Sequence, residues 1–97
     1  MAEGGAVRCT VIFRGSVQGV GFRFTTTDIA SSFPITGYVM NLRDGTVRMA
    51  AEGAREDVTQ MIRRVLEAMR GHVAEHSEEW GSATGEFPGF GVRYEGR

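Results

Sequence analysis

The chain has 97 residues and a formal net charge of −1, with eleven Arg, no Lys and twelve acidic residues. This length suits one domain with a single hydrophobic core and leaves no room for a second. A near-neutral chain lacks the broad positive field that nucleic-acid binding usually requires, so we expect no nucleic-acid partner.

The cysteine count and the apolar runs indicate the compartment. Cys9 is the only cysteine in the sequence, which excludes a disulfide framework and favours a reducing environment. Residues 1–6 are small and polar, so we expect a flexible N-terminus and no signal peptide. No stretch approaches the roughly 20 apolar residues of a membrane span. We therefore expect one domain over residues 1–97, monomeric and cytoplasmic, with no membrane partner.

The first third of the chain predicts a strand, a loop and a helix. Apolar residues alternate with polar ones from Val7 to Phe13, as in a strand with one buried face. A glycine-rich loop follows, and from Phe22 the apolar spacing becomes helical until Pro34 stops it. Three consecutive threonines at 25–27 make this helix weak in isolation. We therefore expect packing against a sheet to stabilise it.

The rest of the chain predicts a hairpin, a long helix and two weaker strands. Segments 35–42 and 46–52 are short apolar runs joined around Asp44-Gly45, which is a strong hairpin signal. Segment 55–70 carries apolar residues at helical spacing and stops at Gly71. Segments 73–80 and 90–94 are weaker strand candidates, and segment 90–94 would be an extra strand at a sheet edge.

This order predicts an α+β fold of a known kind. Strand, helix, strand, strand, helix, strand is the order of the ferredoxin-like split βαβ sandwich (βαββαβ), an antiparallel sheet with two helices on one face. The C-terminal candidate would add an edge strand to it. Because the same architecture carries RNA-binding modules, metal carriers and enzymes, the fold alone does not decide the function.

The glycine-rich loop has the chemistry of an anion-binding site. It reads Gly15-Ser-Val-Gln-Gly-Val-Gly-Phe-Arg23, and its glycines let the backbone N–H groups turn into one concave cradle beside a helix N-terminus. A cation in the first turn of a helix opposes the helix dipole, so Arg23 fits best with an anion nearby. Asn41 is expected on the helix-facing side of the adjoining strand, near the same place.

Two sequence blocks carry a resemblance to a known family. The loop Gly15-Ser-Val-Gln-Gly-Val-Gly-Phe-Arg23 is followed by Gly37-Tyr-Val-Met-Asn-Leu-Arg-Asp-Gly-Thr-Val47 and by Glu52-Gly53. Together these segments resemble the two signature blocks of the acylphosphatases, and the similarity extends from about Arg8 to Tyr94. The resemblance implies hydrolysis of an acyl phosphate to a carboxylate and inorganic phosphate.

The resemblance also implies roles for individual residues. Arg23 would bind the phosphate oxygens and Asn41 would hold the attacking water. The backbone around the phosphoryl group would come from the loop residues Ser16, Val17, Gln18, Gly19, Val20, Gly21 and Phe22, with Arg23. No cluster of His, Cys and carboxylate residues has metal-ligand spacing, so we expect catalysis without a metal or cofactor.

Two other classes of protein remain open from the sequence. Acylphosphatase-like domains also begin larger hydrogenase-maturation carbamoyltransferases, so the chain could be a non-catalytic module that binds phosphate or carbamoyl phosphate. An RNA-binding module of the same topology would need aromatic residues on the open face of its central strands. The open face of the first strand instead carries Arg8, Thr10, Ile12 and Arg14. We expect Tyr38, Trp80 and Tyr94 mostly to pack in the core or at an edge.

Overall fold

A computed structural model of the protein describes residues 5–96. We expect residues 1–6 to be flexible, and residues 1–4 of that segment lie outside the described range. The chain forms five strands and two helices in the predicted order, β1 (Val7–Gly15), α1 (Phe22–Ala30), β2 (Thr36–Asn41), β3 (Val47–Gly53), α2 (Arg55–Ala68), β4 (Val73–Ser82) and β5 (Phe90–Tyr94). Neither helix is long and apolar enough to cross a membrane within the described part of the chain.

The strands form one sheet in the order β4-β1-β3-β2-β5. β1 pairs antiparallel with both β3 and β4, and β2 pairs antiparallel with β3. This arrangement confirms the ferredoxin-like split βαβ sandwich. The C-terminal strand is present as well, and it pairs with β2 in parallel. Because β4 and β5 occupy opposite edges, the segment that joins them must cross the sheet.

The core lies between the sheet and the two helices. Alternate residues of β1 are fully buried, as the strand pattern predicts, and α2 contributes its apolar stripe. The first residue of α1, Phe22, is 2% exposed and packs on Phe13 of β1 with ring centroids 4.9 Å apart. Packing on the sheet therefore fixes the start of α1, and with it the position of Arg23.

The predicted hairpin turn joins β2 to β3. The N–H of Leu42 donates to the carbonyl of Thr46 over 2.8 Å, and Gly45 adopts a φ of 92°, which favours glycine. Asp44 Oδ1 accepts from the backbone N–H of Thr46 over 3.0 Å. Asn41, the last residue of β2, pairs with Val47 across this hairpin.

Glu52 anchors the segment that crosses the open face of the sheet. The residue is 4% exposed, and its carboxylate accepts hydrogen bonds from the N–H groups of Thr84 and Gly85, each over 3.0 Å, and from Arg8 Nε over 2.7 Å. Burial alone would raise the pKa of Glu52, but these donors outweigh it and lower the pKa to about 2. Phe87 of the same segment packs against Tyr38, with ring centroids 5.7 Å apart.

Candidate active site

The loop between β1 and α1 presents free backbone donors. Gly19 and Gly21 have φ values of 78° and 79°, a conformation that other residues rarely adopt. Within residues 5–96, no N–H group of the loop from Ser16 to Gly21 donates to another backbone carbonyl. α1 also begins without a side-chain cap, so its first N–H groups point out of the helix end. Such a group of donors suits an anion.

Gly15 fixes where the loop leaves the sheet. Its φ is 130°, and a Cβ at this position would lie 2.4 Å from the carbonyl oxygen of His72 and 2.7 Å from the N of Ala74. Both of these are backbone atoms that cannot move aside cheaply. The last residue of β1 therefore has to be glycine for β4 to pack this closely beside it.

Gln18 ties the loop to the β2–β3 hairpin. Its side-chain Nε2 donates to the carbonyl oxygens of Leu42 over 2.7 Å and of Thr46 over 2.9 Å. Leu42 directly follows Asn41 in the chain. One side chain of the loop therefore holds the loop in register with the strand end that carries Asn41.

A cavity of about 350 Å³ opens beside the loop. Arg23 and Asn41, far apart in the sequence, both line it, as the sequence predicts for two residues of one site. The other lining residues come from the loop, from the first turns of α1 and from β5, and they are Val17, Gly19, Gly21, Phe22, Phe24, Thr27, Val92 and Tyr94. Ser16, Gln18 and Val20 of the predicted loop do not line it.

The side chains of Asn41 and Arg23 differ in burial and in their contacts. The carbonyl oxygen Oδ1 of Asn41 is buried and accepts no hydrogen bond from residues 5–96. Arg23 is half-buried, and its guanidinium lies 5.6 Å from the ring centroid of Tyr94. No carboxylate of residues 5–96 forms an ion pair with Arg23. An acceptor and a cation are thus both available at the cavity.

Cys9 is badly placed to act as a nucleophile. It lies within β1, is fully buried, and has a pKa raised to about 11, chiefly by burial. In the described range 5–96, no three His, Cys, Asp or Glu side chains lie close enough together to hold a metal ion. The polar groups that line the cavity are the backbone amides of the loop, the side chains of Arg23 and Asn41, and the hydroxyls of Thr27 and Tyr94.

The acylphosphatase family model matches residues 9–92 of the chain. This chain belongs to the acylphosphatase family. The match includes the loop, Arg23, Asn41 and both helices, and ends within β5. It thus spans the cavity-lining residues up to Val92, and Tyr94 lies beyond it.

Curated relatives agree with this membership. The chain is 39% identical over 88 residues to an acylphosphatase from Pelotomaculum thermopropionicum, which covers 90% of this chain and 96% of that protein. It is 51% identical over 57 residues to an acylphosphatase from Trichormus variabilis. This match covers 59% of this chain and 56% of that protein.

Solved structures have the same fold. The crystal structure of acylphosphatase from Bacillus subtilis superposes with a TM-score of 0.84 at 27% identity, covering 91% of this chain and 99% of that one. Full-length HypF, solved in a phosphate- and nucleotide-bound form, matches with a TM-score of 0.83 at 25% identity over 95% of this chain. That match takes up only 13% of the HypF chain.

Two side-chain contacts at or beside the cavity of this acylphosphatase family member were missed by sequence reasoning. The sequence assigned Gln18 to the loop backbone, whereas its side chain contacts residues 24 and 28 positions away. Tyr94 is one of three aromatic residues of which we expected most to pack in the core or at an edge. It lies on the edge strand β5 and is 64% exposed, and the contact that sequence reasoning missed is the one with Arg23. No periodic pattern signals either contact, since each depends on which segments the fold brings together.

Proposed function

We propose that this protein is an acylphosphatase that hydrolyses the carboxyl–phosphate bond of acyl phosphates to a carboxylate and inorganic phosphate. The observation that carries the proposal is the presence of Arg23, Asn41 and the loop glycines on one cavity. Family membership supports the same reaction. The substrate is a small molecule, and inorganic phosphate is the second product.

The phosphoryl group binds at the loop. The backbone N–H groups from Ser16 to Phe22 and the guanidinium of Arg23 surround its oxygens. Arginine suits this role because its planar fork can grip two oxygens at once. The same donors stabilise the charge on the phosphoryl oxygens as the transition state forms, which is the main requirement of phosphoryl transfer.

Asn41 holds the attacking water. Its buried Oδ1 lacks a donor among residues 5–96, and a water that donates to this oxygen is held with a lone pair free to attack phosphorus. The new bond forms between the water oxygen and phosphorus, and the bond between phosphorus and the acyl oxygen breaks. The electron pair of that bond leaves with the carboxylate.

The remaining steps need little from the protein. A carboxylate is a leaving group of low pKa, so no strong general acid is required. We propose that the water proton passes to an oxygen of the substrate's own phosphoryl group, and that neither a metal nor a cofactor takes part. A sharp bell-shaped pH profile that pointed to an enzymic acid and base would contradict this proton route.

The direct test measures loss of benzoyl phosphate over its spontaneous hydrolysis, with a chelator present. Wild type and Arg63→Ala should turn over the substrate, whereas Arg23→Ala should not. Arg63 is an exposed arginine of α2, so this control removes the same charge away from the cavity. No turnover by folded wild-type protein would contradict the proposal, and turnover that stops with chelator would contradict its metal-independent form.

A second function has a specific observation in its favour. The match to a small part of HypF, which was solved in a phosphate- and nucleotide-bound form, favours a phosphate-binding module. In this alternative the module is non-catalytic and its ligand is phosphate or carbamoyl phosphate. This alternative predicts that inorganic phosphate binds wild type, and not Arg23→Ala, while no acyl phosphate is hydrolysed. Calorimetric titration with phosphate, run beside the hydrolysis assay, separates the two functions.

We propose further that the protein is cytoplasmic and monomeric, without a nucleic-acid or membrane partner. The buried free thiol of Cys9 suits a reducing compartment, and the near-neutral charge argues against nucleic acid. Light scattering after gel filtration tests the monomer. Fractionation of the source cells tests the location.

A further inference from the structure

The exposed large apolar side chains of residues 5–96 gather around the cavity. They are Val20, Phe24, Val92 and Tyr94, which are 38%, 77%, 38% and 64% exposed. Three of them line the cavity, and Val20 lies between the two loop glycines. Scattered exposed apolar residues are ordinary, but their concentration at one opening marks a binding surface.

The cavity has more volume and more apolar surface than a phosphoryl group needs. Its volume of about 350 Å³ is that of a small-molecule site. Apart from the hydroxyls of Thr27 and Tyr94, its polar groups lie on the loop, on Arg23 and on Asn41. Phe24, Val92 and Tyr94 offer mainly apolar surface. In an acyl phosphate the acyl group is covalently attached beside the phosphoryl group, so it must lie near these side chains.

We propose that the apolar side chains at the cavity bind the acyl group, and that the protein prefers acyl phosphates with apolar or aromatic acyl chains. This inference rests on the proposed function. Arg23 is the only charged side chain among the described residues that line the cavity, and the phosphoryl group engages it. A charged acyl group would therefore find no partner there.

Phe24 is the residue that sets this preference most strongly. It directly follows Arg23 in the first turn of α1 and is the most exposed of the four side chains. An exposed aromatic ring contributes nothing to the core, so its removal leaves the fold intact. It offers a large apolar face to a substrate held by the neighbouring residue.

The test compares acetyl, butyryl and hexanoyl phosphate, whose leaving carboxylates have nearly equal acidity. In wild type, kcat/KM should rise about twofold for each half-covered methylene, so over four methylenes hexanoyl phosphate should exceed acetyl phosphate roughly 16-fold. Phe24→Ala should reduce this ratio to about threefold, and Phe24→Leu should keep most of it. Asp28→Ala, an exposed site one turn further along α1, is the control and should keep the full ratio.

The outcomes separate this inference from the proposed function. Equal kcat/KM for the three substrates, or a ratio unchanged in Phe24→Ala, would overturn the acyl-binding role while acyl phosphate hydrolysis stands. An equal loss of rate on all three substrates in Phe24→Ala would also overturn it. Failure of folded wild type to hydrolyse any of the three would overturn the proposed function itself.

Discussion

The side-chain amide of Gln18 donates to the carbonyl oxygen of Leu42 over 2.7 Å, at the residue directly after Asn41. The loop for which we propose anion binding and the strand that carries Asn41 are thereby joined by one side chain. Its second hydrogen bond, to Thr46, reaches the other side of the hairpin. The position of the loop relative to Asn41 is therefore set by the contacts of Gln18 with the hairpin, in addition to the sheet.

Gln18→Leu should lower kcat with little loss of stability. Both acceptor carbonyls lie near solvent, so water can replace the amide and the free energy of unfolding should fall by only about 1 kcal/mol. The loop and Asn41 would no longer be held together, and kcat should fall roughly 10-fold. Steady-state kinetics and urea unfolding measure the two effects. Gln60→Leu, at an exposed site of α2, should change neither, and an unaltered kcat in Gln18→Leu would refute the link.

Arg23→Lys should impair both phosphate binding and turnover. Lysine keeps the charge but loses the planar fork, so kcat/KM should fall roughly 10²-fold or more. Inorganic phosphate should also become a weaker competitive inhibitor. Arg63→Lys is the matched control on α2. Near wild-type kinetics in Arg23→Lys would remove Arg23 from its proposed role.

Asn41→Ala should separate binding from turnover. If Asn41 holds the water and does not contact the phosphoryl group, kcat should fall roughly 10²-fold while inhibition by inorganic phosphate stays the same. The same kinetic assay gives both values. Loss of phosphate inhibition would make Asn41 a ligand contact in place of a water-holder.

Thr26→Val should stabilise the protein. Thr26 is fully buried in α1, and its hydroxyl oxygen makes no hydrogen bond to residues 5–96. Replacing the hydroxyl by a methyl group keeps the β-branched shape and removes an unpaired polar atom, a gain of about 1 kcal/mol. In a domain of this size, thermal unfolding should shift up by about 4–8 °C. Thr25→Val, which is half-buried on the same helix, should shift it far less, and a lower midpoint in Thr26→Val would show that the hydroxyl is satisfied.

Glu52→Gln should destabilise the protein in a pH-dependent way. The pKa of Glu52 in the folded state is about 2, below the ordinary value near 4.3, so the unfolded chain takes up a proton first as the pH falls. The stability due to the carboxylate is therefore complete above about pH 5 and is lost progressively toward pH 2. At pH 7 the variant should be less stable by about 2 kcal/mol.

Urea unfolding at pH 7 and pH 3 measures this dependence. The difference in free energy of unfolding between wild type and Glu52→Gln should be smaller at pH 3 than at pH 7. Glu86→Gln is the control, because Glu86 contacts the same Arg8 over 3.0 Å but is exposed. Its effect should be much smaller. If the difference in free energy of unfolding between wild type and Glu52→Gln stayed constant with pH, the charge of the carboxylate would make no contribution to stability.

The fold was predictable where the sequence pattern is local. Alternation in β1, the Asp44-Gly45 turn and the apolar stripe of α2 each arise from the period of one element, and each is present in the structure. The parallel pairing of β5 with β2 was not predictable in this way. A strand pattern predicts which face of the strand is buried. It does not predict which strand lies next to it in the sheet, or whether the two run parallel or antiparallel.

The candidate site was predictable in its position and not in its surroundings. Loop glycines and Arg23 share one short segment, and the resemblance supplied Asn41. The contacts of Gln18, Tyr94 and Glu52 join segments distant in the sequence. Glu52 in particular belongs to the open face of β3, and only the segment that crosses it explains why a carboxylate there is buried.

The pairing of β1 with β4 has a consequence for the order of folding. Val7 lies opposite Ser82, and Gly15 lies opposite Val73, so the strand from which the loop emerges is completed by one of the last segments of the chain. Such distant pairings form slowly, and we expect refolding over milliseconds to seconds. Because the cavity wall also includes β5, the ability to bind phosphate should return only with the final, cooperative step. The rate at which phosphate binding recovers during refolding would then report the rate at which the native sheet is completed.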